Sequence, residues 1–419
     1  MILTGVILVL LAVLGMPLFA VIAASAMLGY QRSDIPLSAV PIEIFGIAEM
    51  PILLAIPLFT FAGYVLSESH APARLVRLTQ ALLGWLPGGL AIVSIAACAL
   101  FTAFTGASGV TIIALGALLF PALVQAGYQE RFTLGLVTSA GSLGLLFVPS
   151  LPLILYGVVA EVSIDDLFKA GIAPGLLMMG ILTGYCLWLY RGQRQRLADF
   201  SVAELGAALR DSAWEIPLPI VVLGGIYSGV LAVSEAAAVT ALYVLFVEML
   251  IHRDVKPGQL IDIVRQSMLL VGGILLILGV SLASTNYMID AQVPEMLIGV
   301  VREYVDGPQS FLLALFLFLL VLGAILDIFS ALVLVVPLIL PVAADYGIHP
   351  VHLGVVFLAT MQLGYLTPPV GLNLFVSSYR FNQSIVAVYL ATWPFLLMLG
   401  AAVLLITFWP DLSLFALDP

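Results

Sequence analysis

Charge is what this sequence has least of. Asp, Glu, Lys and Arg make up only 9% of its 419 residues, against 63% hydrophobic residues and a mean hydropathy of +1.20. Soluble domains carry about a quarter charged residues, so a water-soluble globule is excluded and the solvent of this chain is a lipid bilayer. Basic runs are absent too, and the net charge of -10 is spread over loop acids, which excludes a nucleic-acid partner. Cysteine is down to Cys98 and Cys186, both in apolar segments without a CxxC or Cys/His cluster, so packing is their expected role. Membrane-enzyme signatures are missing as well: there is no HExxH and no GxSxG, His252, His349 and His352 fall at segment ends, and His70 lies in a loop. No polar stretch is long enough for a soluble domain, so recognition outside the membrane falls to a partner.

What is present is a series of charge-free runs, among them 2–31, 78–129, 132–160, 328–344 and 381–410. Several exceed the ~20 apolar residues that cross a bilayer core. The first run has a signal-like Ala23-Ala24-Ser25-Ala26 but no basic n-region, so it is expected to stay as the first span. The most polar stretch, Tyr190 to Glu215, divides the chain. Its arginines Arg191, Arg194, Arg196 and Arg210 favour a connector at the cytoplasmic membrane surface, helical in part.

The two sides of that connector repeat one another. Pro121, Gly127, Gly135 and Pro149 follow at gaps of 6, 8 and 14 residues, and Pro341, Gly347, Gly354 and Pro368 at 6, 7 and 14. Internal repeats of this kind typify secondary transporters. The predicted fold is therefore an all-α polytopic membrane protein of two repeats, 1–190 and 216–419, joined by 191–215. Whether the repeats are parallel or inverted is open, because the opening spans 2–31 and 216–251 carry breakers and their crossings are not fixed.

Each repeat holds two features unlike ordinary spans. Residues 88–128 would reach about 60 Å as one helix, twice a core of about 30 Å, and Thr105-Gly106-Ala107-Ser108-Gly109 lies near their middle. A re-entrant helical hairpin with that tip is expected, with a counterpart at 308–347 around Gly323 to Ser330. Broken helices follow at 132–159, interrupted at Gly144 to Ser150, and at 352–379, interrupted at Gly364 to Gly371. Proline removes a backbone donor, and irregular backbone survives in a membrane only where protein or a wet cavity satisfies it.

Such tips and breaks offer free carbonyls, hydroxyls and positive helix ends, the requirements of an alkali cation and a small anion. One cation site is expected from Thr105, Gly106, Ser108, Gly144 and Pro149, and a second from Gly323, Asp327, Gly364, Thr367 and Pro368. The competing reading is that these small residues only let helices pack closely. Asp327 is open to three roles: cation ligand, proton carrier or hairpin cap. Ser150, Asn286, Gln362 and Asn373 are candidates for a substrate path, Asp290 is a further polar group, and Glu235 is expected to meet a structural partner inside the membrane. With no basic residue inside the hairpins or broken helices, helix dipoles, hydroxyls and amides would have to hold an anion.

Taken together these segments resemble the large permease subunit of tripartite ATP-independent periplasmic (TRAP) transporters, the DctM-like proteins, over essentially the whole chain. The resemblance is carried by Ala55-Ile56-Pro57-Leu58-Phe59 with Ala62-Gly63, Gly88-Gly89-Leu90-Ala91, Thr105-Gly106-Ala107-Ser108, Pro121 to Gly127-Tyr128, "FVPSLPLILYG" ending at Gly157, Ser234-Glu235-Ala236-Ala237-Ala238 and Leu366-Thr367-Pro368-Pro369-Val370-Gly371. It implies an elevator-type carrier of the ion-transporter superfamily kind, which moves sodium and a small organic acid past a fixed scaffold. C4-dicarboxylate, sialic acid or a similar carboxylate or sulfonate would be the cargo. It also implies a small four-helix membrane subunit, a periplasmic substrate-binding protein, a bacterial inner-membrane location and no cofactor beyond sodium ions. Thr105 and Ala107 depart from the family's usual Ser-Gly-Ser-Ser tip, which removes one hydroxyl from the first site. The alternatives are a self-sufficient two-repeat sodium/dicarboxylate symporter and a non-transporting membrane scaffold.

Overall fold

A computed structural model describes residues 2–47, 49–86, 88–191 and 200–417, and the described residues form helices and turns without a strand. That outcome follows from the solvent: in hydrocarbon only a helix satisfies its backbone within one segment. Among the described residues six helices are long and apolar enough to cross a bilayer, and up to nine spans result if each sharply bent pair counts as one.

The first half runs through α1 (Ile2–Val13), α2 (Leu18–Arg32), α3 (Ala39–Ile47), α4 (Ala55–Ser67), α5 (Ala71–Leu83), α6 (Gly89–Thr105), α7 (Ser108–Gln125), α8 (Glu130–Ala140), α9 (Leu151–Val159) and α10 (Ile164–Tyr190). The opening run is split at Gly15, whose φ of +91° only glycine adopts freely. Gly106, at φ +64°, ends α6, and α7 starts two residues later. Thr102 and Thr111 then lie 2.7 Å apart through their hydroxyls, so the chain folds back on itself here. Nine residues of continuous helix would separate them by about 13 Å. A bend of 45° separates α8 and its short extension Leu143–Leu146 from α9.

The connector contains α11 (Val202–Asp211), N-capped by Ser201. Residues 192–199, with Arg194 and Arg196, lie outside the described residues. The second half comprises α12 (Pro217–Tyr227), α13 (Val233–Phe246), α14 (Pro257–Asp290), α15 (Val293–Tyr304), α16 (Pro308–Gly323), α17 (Ile328–Asp345), α18 (Pro350–Gly364), α19 (Leu372–Phe381) and α20 (Ile385–Phe408). Phe311 at the start of α16 stacks on Tyr346 just after α17, ring centroids 4.9 Å apart, so these helices are also antiparallel. Amphipathic α15 turns by 109° into α16, and amphipathic α5 likewise precedes the first folded-back pair.

One expectation is corrected here. Glu235 is not midway along a membrane span: the chain turns at Ser228-Gly229, α13 starts anew, and exposed Glu235 accepts a hydrogen bond from the Ala232 amide at 2.9 Å as a cap. His352 lies in the first turn of α18, at a segment end as expected, and is 1% exposed there, its ring nitrogens 3.2 Å from Ser413 Oγ and 3.3 Å from the Thr407 carbonyl.

Packing between the halves is reciprocal. In one group α4 packs on α13 and α14 on α2; in the other α7 packs on α19 and α17 on α9. Each half therefore completes its core only against the other. A buried charge cluster adds a tie, because Arg74 of α5 reaches Glu215 at the end of the connector and Glu248 and Asp254 of the second half.

Candidate functional site

The first tip and the first break interlock. A methyl group on Gly144 would come within 2.2 Å of the Ala99 carbonyl of α6, and one on Gly106 within 2.6 Å of Leu151. Such approaches require glycine, because any Cβ would displace backbone. Thr102 Oγ1 donates to the Gly141 carbonyl at 2.8 Å, and Thr111 Oγ1 stands between Thr102 at 2.7 Å and Thr105 at 3.4 Å. Three threonine hydroxyls thus line up beside the carbonyl end of α6. Ser150 bonds the Leu145 carbonyl at 2.5 Å within the break. All of Thr102, Thr105, Thr111 and Ser150 are inaccessible to solvent.

The second tip and break are joined by backbone. A methyl on Gly364 would lie 2.6 Å from Gly323 Cα, and the Gly371 amide donates to the Ala324 carbonyl at 3.0 Å. Thr367 Oγ1 returns to the Leu363 carbonyl at 3.1 Å, and Pro368 is exposed. Of the three roles open to Asp327, its geometry is that of the cap. Its Oδ1 accepts from the Phe329 and Ser330 amides at 3.0 Å each, and its Oδ2 from Ser330 Oγ at 2.5 Å. The residue is exposed at the tip rather than enclosed in a cavity, because its charge is satisfied by the start of its own helix.

Between these two regions runs a seam that brings the halves together. A methyl on Gly109 would lie 3.5 Å from Val376, Arg380 Nε donates to the Ile113 carbonyl at 3.0 Å, and Phe120 stacks on Phe381 with centroids 4.7 Å apart. Successive residues of α7 meet successive residues of α19, so the two helices run parallel and their positive N-terminal ends lie side by side. The last turn of α8 closes the seam: Asn373 Nδ2 donates to the Thr138 carbonyl at 3.4 Å, and Thr138 Oγ1 to Ser377 Oγ at 2.8 Å. Ser108 Oγ, Ser139 Oγ and Asn373 Oδ1 are buried here without a hydrogen-bond partner among the described residues. Leaving each unpaired would cost about 1–3 kcal/mol, which makes this seam a candidate ligand site.

Of the residues expected in a substrate path, Asn373 lies in this seam and Ser150 in the adjoining break. Gln362 instead faces α10, with its Nε2 3.4 Å from Met178 Sδ, and Asn286 lies on α14, which packs on α2, α3 and α4. Thr102, Thr111, Thr138, Ser139 and Ser377 belong to the site and were not singled out from sequence. A hydroxyl in an apolar helix usually turns back to the carbonyl one turn earlier, as Thr60 and Thr240 do here and as Thr102 and Thr138 of the site also do, so the sequence carries no mark of those that reach a second segment as well.

Comparison with known proteins agrees with this architecture. Residues 4–412 match the family model described as "Tripartite ATP-independent periplasmic transporter, DctM component". The chain is 33% identical to the C4-dicarboxylate TRAP transporter large permease protein DctM of Pseudomonas aeruginosa, covering 89% of this chain and 88% of that one. It is 30% identical to the ectoine/5-hydroxyectoine TRAP transporter large permease protein UehC of Ruegeria pomeroyi over 98% and 97%. It is also 32% identical to the isethionate TRAP transporter permease protein DctMQ of Oleidesulfovibrio alaskensis, but spans only 58% of that relative's length. Among solved structures the Alcanivorax borkumensis YdaH transporter shares the fold, with a TM-score of 0.63 over 89% of this chain and 87% of that one at 16% identity. The chain therefore belongs to the DctM family of TRAP transporter large permease subunits, multi-pass proteins of the bacterial inner membrane that transport rather than catalyse.

Proposed function

We propose that this chain is the transmembrane path of a sodium-coupled importer for a small organic acid, a carboxylate or sulfonate delivered by a periplasmic binding protein. A small membrane subunit completes the complex. The observation that carries this reading is the seam: two parallel helix N-termini, one from each half, beside three buried polar atoms without partners. Amide donors and aligned dipoles suit an anion at these two N-termini, while Arg380 lies at the other end of the seam, on the Ile113 carbonyl. Asn373 Oδ1 and Ser139 Oγ suit donors on the rest of the cargo.

The first sodium site would draw on Thr105, Ser108 and the carbonyl end of α6, with Thr102 and Thr111 offsetting the hydroxyl missing at Ala107. The second would draw on backbone carbonyls where Gly323 meets Gly364, near Thr367. An elevator fits the division of packing into two groups, α2, α4, α13 and α14 on one side and the hairpin and broken helices on the other. The relatives named above are named for C4-dicarboxylate, ectoine and isethionate at similar identity, which supports a selectivity that lies outside the shared skeleton.

The test is uptake into proteoliposomes. Uptake should require this chain, the small subunit, the loaded binding protein and an inward sodium gradient. Uptake by the chain alone would support the self-sufficient symporter, and uptake driven equally by potassium would remove sodium from the mechanism.

A further inference from the structure

The two hairpin tips are held in different ways. The first is buried, with Thr105 under Gly63 of α4 and Gly106 against Leu151, and no acceptor meets the Ser108, Gly109 or Val110 amides among the described residues. The second is exposed at Ile325 and Asp327, as is the break beside it from Pro368 to Val370. A carboxylate is not left bare in hydrocarbon, so this tip faces water.

Every one of the first four amides of α17 nevertheless has an acceptor. Asp327 takes Phe329 and Ser330 through its side chain and Ala331 through its carbonyl. The remaining one, Ile328, donates to Tyr365 Oη at 2.6 Å. Tyr365 is 2% exposed and stands three residues before Pro368 in the second break. The residue three before Pro149 in the first break is Leu146, which has no hydroxyl. The phenol therefore joins break to tip from one side, and the Gly371 amide bond to Ala324 joins them from the other.

We propose that Tyr365 is a positioning residue whose hydroxyl latches the second hairpin tip onto the second break. Release of the Ile328 amide lets the water-facing tip lift from the site. The inference rests on the second sodium site proposed above, because an ion held by carbonyls of tip and break draws together the surfaces that Tyr365 aligns.

The test uses Ile325→Cys, a position 58% exposed at the tip, labelled with a membrane-impermeant maleimide in the assembled complex. Native Cys98 and Cys186 are 1% and 0% exposed, which keeps background labelling low. Sodium, compared with potassium, should slow labelling. Adding Tyr365→Phe keeps the ring and removes the acceptor. It should speed labelling by about 2- to 10-fold, the range expected for one hydrogen bond, and raise the sodium concentration that gives half-protection. An unchanged labelling rate in Tyr365→Phe overturns the latch, and so does a lower melting temperature without faster labelling. If sodium fails to protect Ile325→Cys itself, the second sodium site is lost, while the comparison with Tyr365→Phe in potassium still decides the latch.

Discussion

The buried Glu248 carboxylate faces the Arg74 guanidinium, its two oxygens 2.9 and 3.0 Å from Nη2. A π-helical turn over Val247–Ile251 carries Glu248 at the end of α13, a departure from α-helix often found where a side chain must be re-aimed. Arg74 also holds Asp254 at 2.7 Å and bonds Glu215 through Nε. One cation thus serves three carboxylates drawn from the connector and the other half of the chain.

Removing that cation leaves buried acids uncompensated. Arg74→Met is expected to cost about 3–5 kcal/mol, read as a large fall in melting temperature in detergent. Arg77, one turn along α5, is 42% exposed and pairs with Glu204 at 2.8 Å. Arg77→Met should lower the melting temperature far less than Arg74→Met, because its exposed ion pairs are screened by water. Equal losses would show that burial of the Arg74 cluster contributes nothing.

Asp254 gives the cluster an acid limb. Burial works against its charge, but hydrogen bonds from Arg74 and His70 prevail and hold its carboxyl below the ordinary carboxylate value. A depressed folded value means that the stabilisation is complete above the unfolded value of about 4 and is lost as pH falls through the folded one. Thermal stability should therefore decline below about pH 4, and Asp254→Asn should flatten that decline. A variant with the parent's slope would remove Asp254 as its source.

Gly144 tests the fit of the first break on α6. Gly144→Ala is expected to cost at least about 1–3 kcal/mol, since its methyl would fall 2.2 Å from a carbonyl oxygen. A methyl on Gly180 in α10 would meet nothing within 4 Å, and Gly180→Ala should be neutral or stabilising by up to about 1 kcal/mol. Unfolding of the two purified variants separates the cases.

Ser108→Leu should abolish sodium-driven uptake while the protein still inserts, and Asn373→Leu should do the same. Uptake at the parental rate with either would argue against the seam. Asp327→Asn retains a capping side chain and should keep both fold and uptake, whereas Asp327→Ala should lose about 1 kcal/mol. A loss of sodium dependence in Asp327→Asn would return that acid to the coupling machinery.

Tips and breaks were legible in the sequence because Gly106, Gly144, Gly323, Gly364 and the prolines act locally: each limits its own backbone whatever surrounds it. The seam was not, since Ile113 and Arg380 are 267 positions apart and no local pattern sets the register of α7 on α19. Glu235, His352 and Asp327 show the same boundary. Their segments were correctly read as apolar, but cap, buried polar contact and exposed tip differ only in where each helix starts. The three acids around Arg74 passed for ordinary loop acids for the same reason.

Reciprocal packing also imposes an order on biosynthesis. Arg74 is made 141, 174 and 180 residues ahead of Glu215, Glu248 and Asp254. At about 5–20 residues per second the wait is on the order of ten to thirty seconds. Throughout that interval α5 has emerged with a guanidinium and no acid to meet it, and α7 has an uncovered flank. The first half stays unfinished in the membrane until the ribosome has nearly completed the second, so shortening the chain at its C-terminus harms the helices made first.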